Sequence, residues 1–422
     1  MHFKTEKFPN GVGLAVANMA HLKSVAMGLW VKVGPINESE LESGLSHSEE
    51  HERFQGTRRR SSGKLAQIFD RIGRVEAFTA IDKTGYGARV SKRHLPELTD
   101  VLFDVFLHSK FAPQNIARQK GVIIEEIMAA RDNPHSLASL KMNEALWPNH
   151  PLGRPILGTP ETVSSFTPDD FKSFNKRFYH GGNLWISLAG NIGFREARAL
   201  MKPYIDQVPA GTPSVSTPVT AMPDKPQAFV DTKMDLQQTA FSLGLPGLSR
   251  EHKLRYPAEI LDSILGGGMS SRLFQNVREK HGLAYHISSS LRVYPDTGVL
   301  QIQGGVNDKR LMDALTCTVR EMERLARNGP TPRELADTKS RMIEDFEISM
   351  ENPGGQMSWM GDSMTLYGRI RDIKEESARM SAVTGREVRD SMRELLGSNK
   401  ACLSVVGPIP TERQMLSLVS FR

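Results

Sequence analysis

Asn183-Leu184-Trp185-Ile186-Ser187-Leu188-Ala189-Gly190-Asn191-Ile192 reads as a strand, and Lys400-Ala401-Cys402-Leu403-Ser404-Val405-Val406-Gly407-Pro408-Ile409 reads as the same strand met again. Each follows a helix opening. Phe166-Thr167-Pro168-Asp169-Asp170 leads a helical pattern to Phe178, and Val383-Thr384-Gly385-Arg386-Glu387 leads one to Leu396. Thr167 and Thr384 are 217 residues apart, and so are Gly190 and Gly407. One offset across helix, turn and strand argues for two copies of one α+β unit.

Between the copies, residues 207–226 carry five prolines among Ser, Thr and Gly, which no element interior tolerates. This stretch is expected to be a linker, with domains over 1–206 and 227–422. Each half also holds strand pairs: Val75–Thr79 with Tyr86–Val90, and Ala284–Val293 with Gly298–Gly304. The entry strands, Gly11–Asn18 and Ser24–Val33, are β-branched or alternating. Long helical patterns cover Leu95–His108, Pro113–Arg131, Lys309–Arg327 and Pro332–Met350. The expected class is α+β, each domain an antiparallel sheet covered by helices.

With 422 residues, 39% hydrophobic and 24% charged, the chain is ordinary globular protein with room for more than one core. No apolar run reaches about 18 residues, so no membrane span is expected. The N-terminus lacks a signal peptide's apolar stretch. The two cysteines, Cys317 and Cys402, make no disulfide framework and fit a reducing, cytoplasmic setting. A net charge of +6 and one basic run, Arg58-Arg59-Arg60, without interleaved aromatics, give no sign of nucleic-acid binding.

His47-Ser48-Glu49-Glu50-His51 places two imidazoles at i and i+4 and a carboxylate at i+3. On a helix all three share a face. Two neutral imidazoles so spaced can share one zinc ion, with Glu50 in reach of its water; the H-x-x-E-H order is the inverse of the commoner H-E-x-x-H. Read alone, the pair could equally be solvated and idle. A third ligand would come from a separate element. Glu125 and Glu126 stand in an apolar helical run, where a carboxylate wants a partner such as a metal. Gln119, Val122, Glu126 and Ala130 lie on one stripe of that helix. The alternative is that both acids lie at the helix boundary, in water.

Residues 32–135 resemble the catalytic half of the M16 metallopeptidases, the family of pitrilysin, insulin-degrading enzyme and mitochondrial processing peptidase. The matching stretches are Glu42-Ser43-Gly44-Leu45-Ser46 before the His motif, Phe54-Gln55-Gly56-Thr57, Ala77-Phe78-Thr79, Thr84-Gly85-Tyr86 and Val122-Ile123-Ile124-Glu125-Glu126-Ile127. The resemblance implies that His47, His51 and Glu126 ligate one Zn²⁺ per chain and that Glu50 is the general base. Glu126 stands 75 residues past His51, close to the family's spacing. It also implies a peptide-binding edge strand at Glu76, Ala77, Phe78 and Thr79. In the second half, Ser270 to Lys280 followed by Gly282-Leu283-Ala284-Tyr285 resembles the family segment with an Arg and a Tyr seven residues apart, here Arg278 and Tyr285. By that resemblance they reach over the substrate, and a guanidinium and a phenol suit a carbonyl and its oxyanion. Taken without it, Arg278 could pair with a helix neighbour and Tyr285 could pack in the sheet.

The sequence departs from the family pattern in three ways. Glu76 stands where Asn is usual. Gln119 stands where a Glu is common, two turns before the metal-binding Glu. Ser48 and Glu49 replace an apolar pair. The resemblance implies a zinc endopeptidase of extended or unfolded peptides, with the metallohydrolase architecture of the processing peptidases. Its subunits enclose a chamber as a homodimer, or as a heterodimer with a related subunit. The rival expectation is a non-catalytic partner subunit that binds peptide and completes the chamber.

Overall fold

The computed structural model describes residues 3–234, 236–409 and 413–421, so the outer limits Met1 and Arg422 of the expected domains lie outside the described residues. The chain forms two compact units. One comprises Met1–Ile127, Pro155–Thr217 and Phe346–Asp372; the other comprises Met128–Arg154, Pro218–Asp345 and Ile373–Arg422. Neither unit is a continuous half of the sequence.

The first unit is built on six strands, β1 (Phe3–Lys7), β2 (Gly13–Asn18), β3 (Ser24–Val31), β4 (Val75–Ala80), β5 (Lys83–Ser91) and β6 (Leu184–Gly190). Their order is β1-β2-β6-β3-β5-β4. Strands β2, β3 and β6 are buried on both faces and read as apolar runs, whereas β4, Val-Glu-Ala-Phe-Thr-Ala, alternates as an edge strand does. The second unit holds β7 (Gln227–Thr232), β8 (Thr239–Gly247), β9 (Ala284–Val293), β10 (Gly298–Val306) and β11 (Cys402–Gly407), in the order β7-β11-β8-β10-β9. The class is α+β as expected, but the sheets are mixed and not purely antiparallel. β2 runs parallel to β6, and β7 parallel to β11. In each unit the repeated strand pairs antiparallel on its other side, with β3 or β8. The strand returns after a long helical connection, which permits the parallel pairing that a tight hairpin forbids.

The helix openings at Thr167 and Thr384 are capping boxes. Each hydroxyl accepts the N–H three residues on, from Asp170 or Glu387, and each acid side chain answers to the cap's own N–H. Residues 209–226 form neither helix nor strand.

Among the helices, four bear on the site or on the sheet faces turned away from the main cores: α1 (Leu45–Arg53), α2 (Pro113–Asp132), α3 (Pro134–Leu146) and α4 (Pro353–Tyr367). The first unit packs one sheet face on a large aliphatic and aromatic core. Helix α4 covers its other face, where Ala15, Ala17 and Ala189 meet Met357 and Met360. Small residues bring helix and sheet together: a Cβ on Gly361 would sit 2.0 Å from the Trp30 ring. Helix α3 does the same in the second unit, with Leu137 and Ala138 against Ala240 and Val406. Both helices start with Asn-Pro, the Asn133 or Asn352 side chain capping the first turn and the proline occupying a position that needs no N–H. The two Asn are 219 residues apart, and so are Pro113 and Pro332 at the starts of the long helices before them. Each sheet is thus completed by a helix taken from the other half of the chain.

Candidate metal centre

Helix α1 starts at a backbone turn that only glycine fits well. Gly44 has φ 92°, and a Cβ there would lie 2.6 Å from the Leu157 carbonyl oxygen. The buried Glu38 carboxylate accepts the N–H groups of Gly44 at 2.9 Å and Ser46 at 2.6 Å. It thereby satisfies orphan donors of the helix start and places negative charge at its positive end.

The two faces of α1 differ in kind. One face is anchored in the core by ions. Glu49 and Arg53 are buried and paired at 2.5 Å. Tyr86 Oη and Asn175 Nδ2 also donate to Glu49, each at 3.3 Å. Arg53 Nη1 donates to the carbonyl oxygens of Val105, at 3.2 Å, and Phe106. The Arg53 guanidinium lies 3.7 Å from the Tyr179 ring centre. This explains the polar residue inside the motif: Glu49 points away from the His face and is half of a buried pair. Arg59 and Arg60 are likewise tied, to Asp100 and Asp104.

The other face carries His47, Glu50 and His51. The imidazole centres are 4.6 Å apart. Glu126, from α2, brings Oε2 to 3.7 Å from His47 Nε2 and 3.8 Å from His51 Nε2. Among the described residues this is the one group of three His, Cys, Asp or Glu whose ligand atoms all lie within 4.8 Å of one another. The separations are too long for hydrogen bonds. They approach the spacing of about 3.4 Å expected between ligands held roughly 2.0–2.1 Å from one tetrahedral zinc. Burial, with His51 as the lesser cause, pulls the His47 pKa down to about 4, so His47 is neutral at pH 7 with a lone pair to offer. His51 Nδ1 stands 3.2 Å from Gln119 Oε1, which suits an Nδ1–H donor and leaves Nε2 for a metal. These donors fit a zinc ion.

Glu126 is less buried than its apolar surroundings suggest. Its side chain is 42% exposed; Ile123 and Ile127 are buried, but Val122 is exposed, and so is Glu125. Its position opposite the two imidazoles, and not the cost of burial, makes it the candidate third ligand.

Glu50 Oε2 accepts the Thr79 hydroxyl at 2.6 Å. Burial raises the Glu50 pKa above the ordinary carboxylate value and the Thr79 bond opposes that rise. Thr79 lies on β4, whose far side has no neighbouring strand among the described residues. Along β4, Ala77 and Thr79 alternate with the exposed Glu76 and Phe78. Glu76 and Phe78 line a cavity of about 490 Å³ with Trp30, Arg89, Asn352 and Met357.

Arg278 and Tyr285 belong to the second unit. Arg278 lies on a π-helical turn over Phe274–Lys280, is 42% exposed, and has Nε 3.5 Å from Glu279 and its guanidinium 4.7 Å from the Phe274 ring centre. Tyr285 on β9 is 46% exposed, with Oη 2.9 Å from His135 Nε2. The sequence marks Thr79 only as a peptide-binding residue and does not single out His135. The Asn-Pro helix start just before His135 is the one local signal of its place.

Residues 14–160 match the family model for insulinase, peptidase family M16, and residues 165–342 match that for the peptidase M16 inactive domain. An uncharacterized zinc protease of Bacillus subtilis, YmxG, is 34% identical over 94% of this chain and 97% of its own length. The chain belongs to peptidase family M16. An uncharacterized zinc protease of Streptomyces coelicolor is 30% identical over 95% of this chain and 88% of its own length. The fold matches a protease of Helicobacter pylori with TM-score 0.90 at 19% identity, over 96% of this chain and 99% of that one. It also matches a peptidase M16 inactive domain structure from Pseudomonas fluorescens with TM-score 0.89 at 19% identity, over 98% of this chain and all of that one. No described helix is long and apolar enough to cross a membrane.

Proposed function

We propose that this M16 protein is a zinc-dependent endopeptidase acting on short or unfolded peptides. The observation that carries the reading is the convergence of His47, His51 and Glu126 within 4.8 Å, with Glu50 on the same helix. His47 and His51 would hold the ion through Nε2 and Glu126 through Oε2. Zinc there supplies a water of lowered pKa and a Lewis acid for the scissile carbonyl. Glu50 takes the proton of the attacking water on its carboxylate and delivers it to the leaving amide nitrogen. Gln119 keeps the His51 proton on Nδ1. The substrate backbone adds as a strand to the free edge of β4. Alternate side chains then face Glu76 and Phe78, whose cavity would take one of them. By resemblance, Arg278 aligns the peptide carbonyl and Tyr285 donates to it.

Both motifs stand in one chain, which favours a homodimer able to build complete sites. Cys317 and Cys402 are free thiols, in keeping with a cytoplasmic setting.

The test is metal content with cleavage of quenched fluorogenic peptides, for wild type and Glu50→Gln. The reading expects about one zinc per chain in both and cleavage only in wild type. No zinc after reconstitution overturns it in favour of a binding subunit.

A further inference from the structure

Tyr285 is the residue that the β9–β10 ladder leaves out. Gly305 pairs with His286 and Val306 with Ala284, so Tyr285 is the extra residue of a β-bulge. Bulges re-aim side chains. The Tyr285 ring lies where a side chain at position 305 would be: a Cβ on Gly305 would come within 2.3 Å of its Cζ and Oη. The hydroxyl then meets His135 Nε2 at 2.9 Å, with the two rings edge to face. His135 is itself held. Its backbone N–H donates to Asn133 Oδ1 at 3.0 Å, and its ring stands edge-on to His286 at 6.2 Å. Burial, with His286 second, lowers its pKa, so the ring is neutral at pH 7 and carries one N–H.

A phenol has one hydrogen. If it is spent on an acceptor within the protein, none remains for a substrate carbonyl. We propose that His135 is a positioning residue that donates Nε2–H to the Tyr285 oxygen, so that the phenol hydrogen stays free for a peptide carbonyl oxygen. Accepting one hydrogen bond also strengthens the phenol as a donor of the next. The proposal rests on the reading of Tyr285 as the carbonyl-binding group.

The test compares His135→Phe, His135→Gln, Tyr285→Phe and the His135→Phe/Tyr285→Phe pair in the full chain loaded with zinc. His135→Phe should lower kcat about fivefold to tenfold, the worth of one hydrogen bond, with KM nearly unchanged. Gln carries an N–H close to the position of Nε2 and should recover most of the loss. The double variant should match Tyr285→Phe. Full kcat in His135→Phe beside a loss in Tyr285→Phe overturns this inference and leaves the role of Tyr285 standing. Full kcat in Tyr285→Phe overturns both. A further readout needs no turnover. With ¹³Cζ-labelled tyrosine, the Tyr285 resonance, assigned by its loss in Tyr285→Phe, should move in His135→Phe and stay near its wild-type position in His135→Gln. A resonance unmoved by His135→Phe overturns the inference whatever the activity.

Discussion

Thr79 on β4 donates its hydroxyl hydrogen to Glu50 on α1, at 2.6 Å. The strand assigned to the substrate backbone and the carboxylate assigned to the water are therefore mechanically joined. The bond also bears on the protonation of Glu50. Burial raises its pKa and the Thr79 hydroxyl, by stabilising the carboxylate, pulls it back.

Thr79→Val should remove that opposing influence. The Glu50 pKa then rises further, and since the base must be ionised, the acid limb of kcat/KM moves to higher pH. Zinc content should stay at the wild-type level. A pH–rate profile with an unmoved acid limb would show that Thr79 does not govern Glu50.

Gln119 Oε1 stands 3.2 Å from His51 Nδ1 and, in the proposed centre, holds the His51 proton there without charge. Gln119→Glu should tighten zinc binding, and Gln119→Leu should weaken it, each by about 10-fold or more. Competition with a chelating dye measures both; equal affinities in all three proteins would remove Gln119 from the metal centre's support.

The Glu49–Arg53 pair should be costly to break and cheaper to replace. Glu49→Leu leaves a buried guanidinium uncompensated and is expected to destabilise by about 3–5 kcal/mol, with zinc lost as α1 loosens. Glu49→Leu/Arg53→Met should recover much of that. Denaturant midpoints decide; a single variant as stable as wild type would mean that the pair does not anchor the helix.

In the second unit, burial pushes the Glu334 carboxyl up, but the two-pronged Arg272 contact, at 2.8 and 2.9 Å, and the Thr331 N–H outweigh it. They hold the pKa at about 2, below the ordinary 4.5. A depressed carboxyl contributes stability above its unfolded pKa and loses it as pH falls through the folded one. Glu334→Gln should therefore lower the Tm near neutral pH. The gap to wild type should narrow as the pH falls from 4.5 towards 2. A gap constant over that range would contradict the linkage.

Much of this is legible along the chain because its causes are local. Alternation marks β4, continuous apolar runs mark β6 and β11, and the Thr167 and Thr384 caps mark two helix starts. The spacing of His47, Glu50 and His51 is a property of one helix, so their shared face needs no tertiary contact. Beyond the reach of local pattern lies every relation set by partners far apart in the chain. The Asn-Pro starts of α3 and α4 are local, but which sheet each helix covers depends on Gly244 and Met142 in one unit and on Trp30 and Gly361 in the other. An apolar pair is the natural expectation at positions 48 and 49, and only the packed core shows Arg53, Tyr86 and Asn175 waiting for Glu49. The order of residues suffices for the repeat, for the chemistry-bearing face of α1 and for many of the elements, though not for β1, β7, β8, α3 or α4. Packing settles the parallel strand pairs, the exchange of helices, the Thr79–Glu50 bond and the bulge that turns Tyr285 towards His135, because each is a contact between surfaces that exist only once the chain has folded.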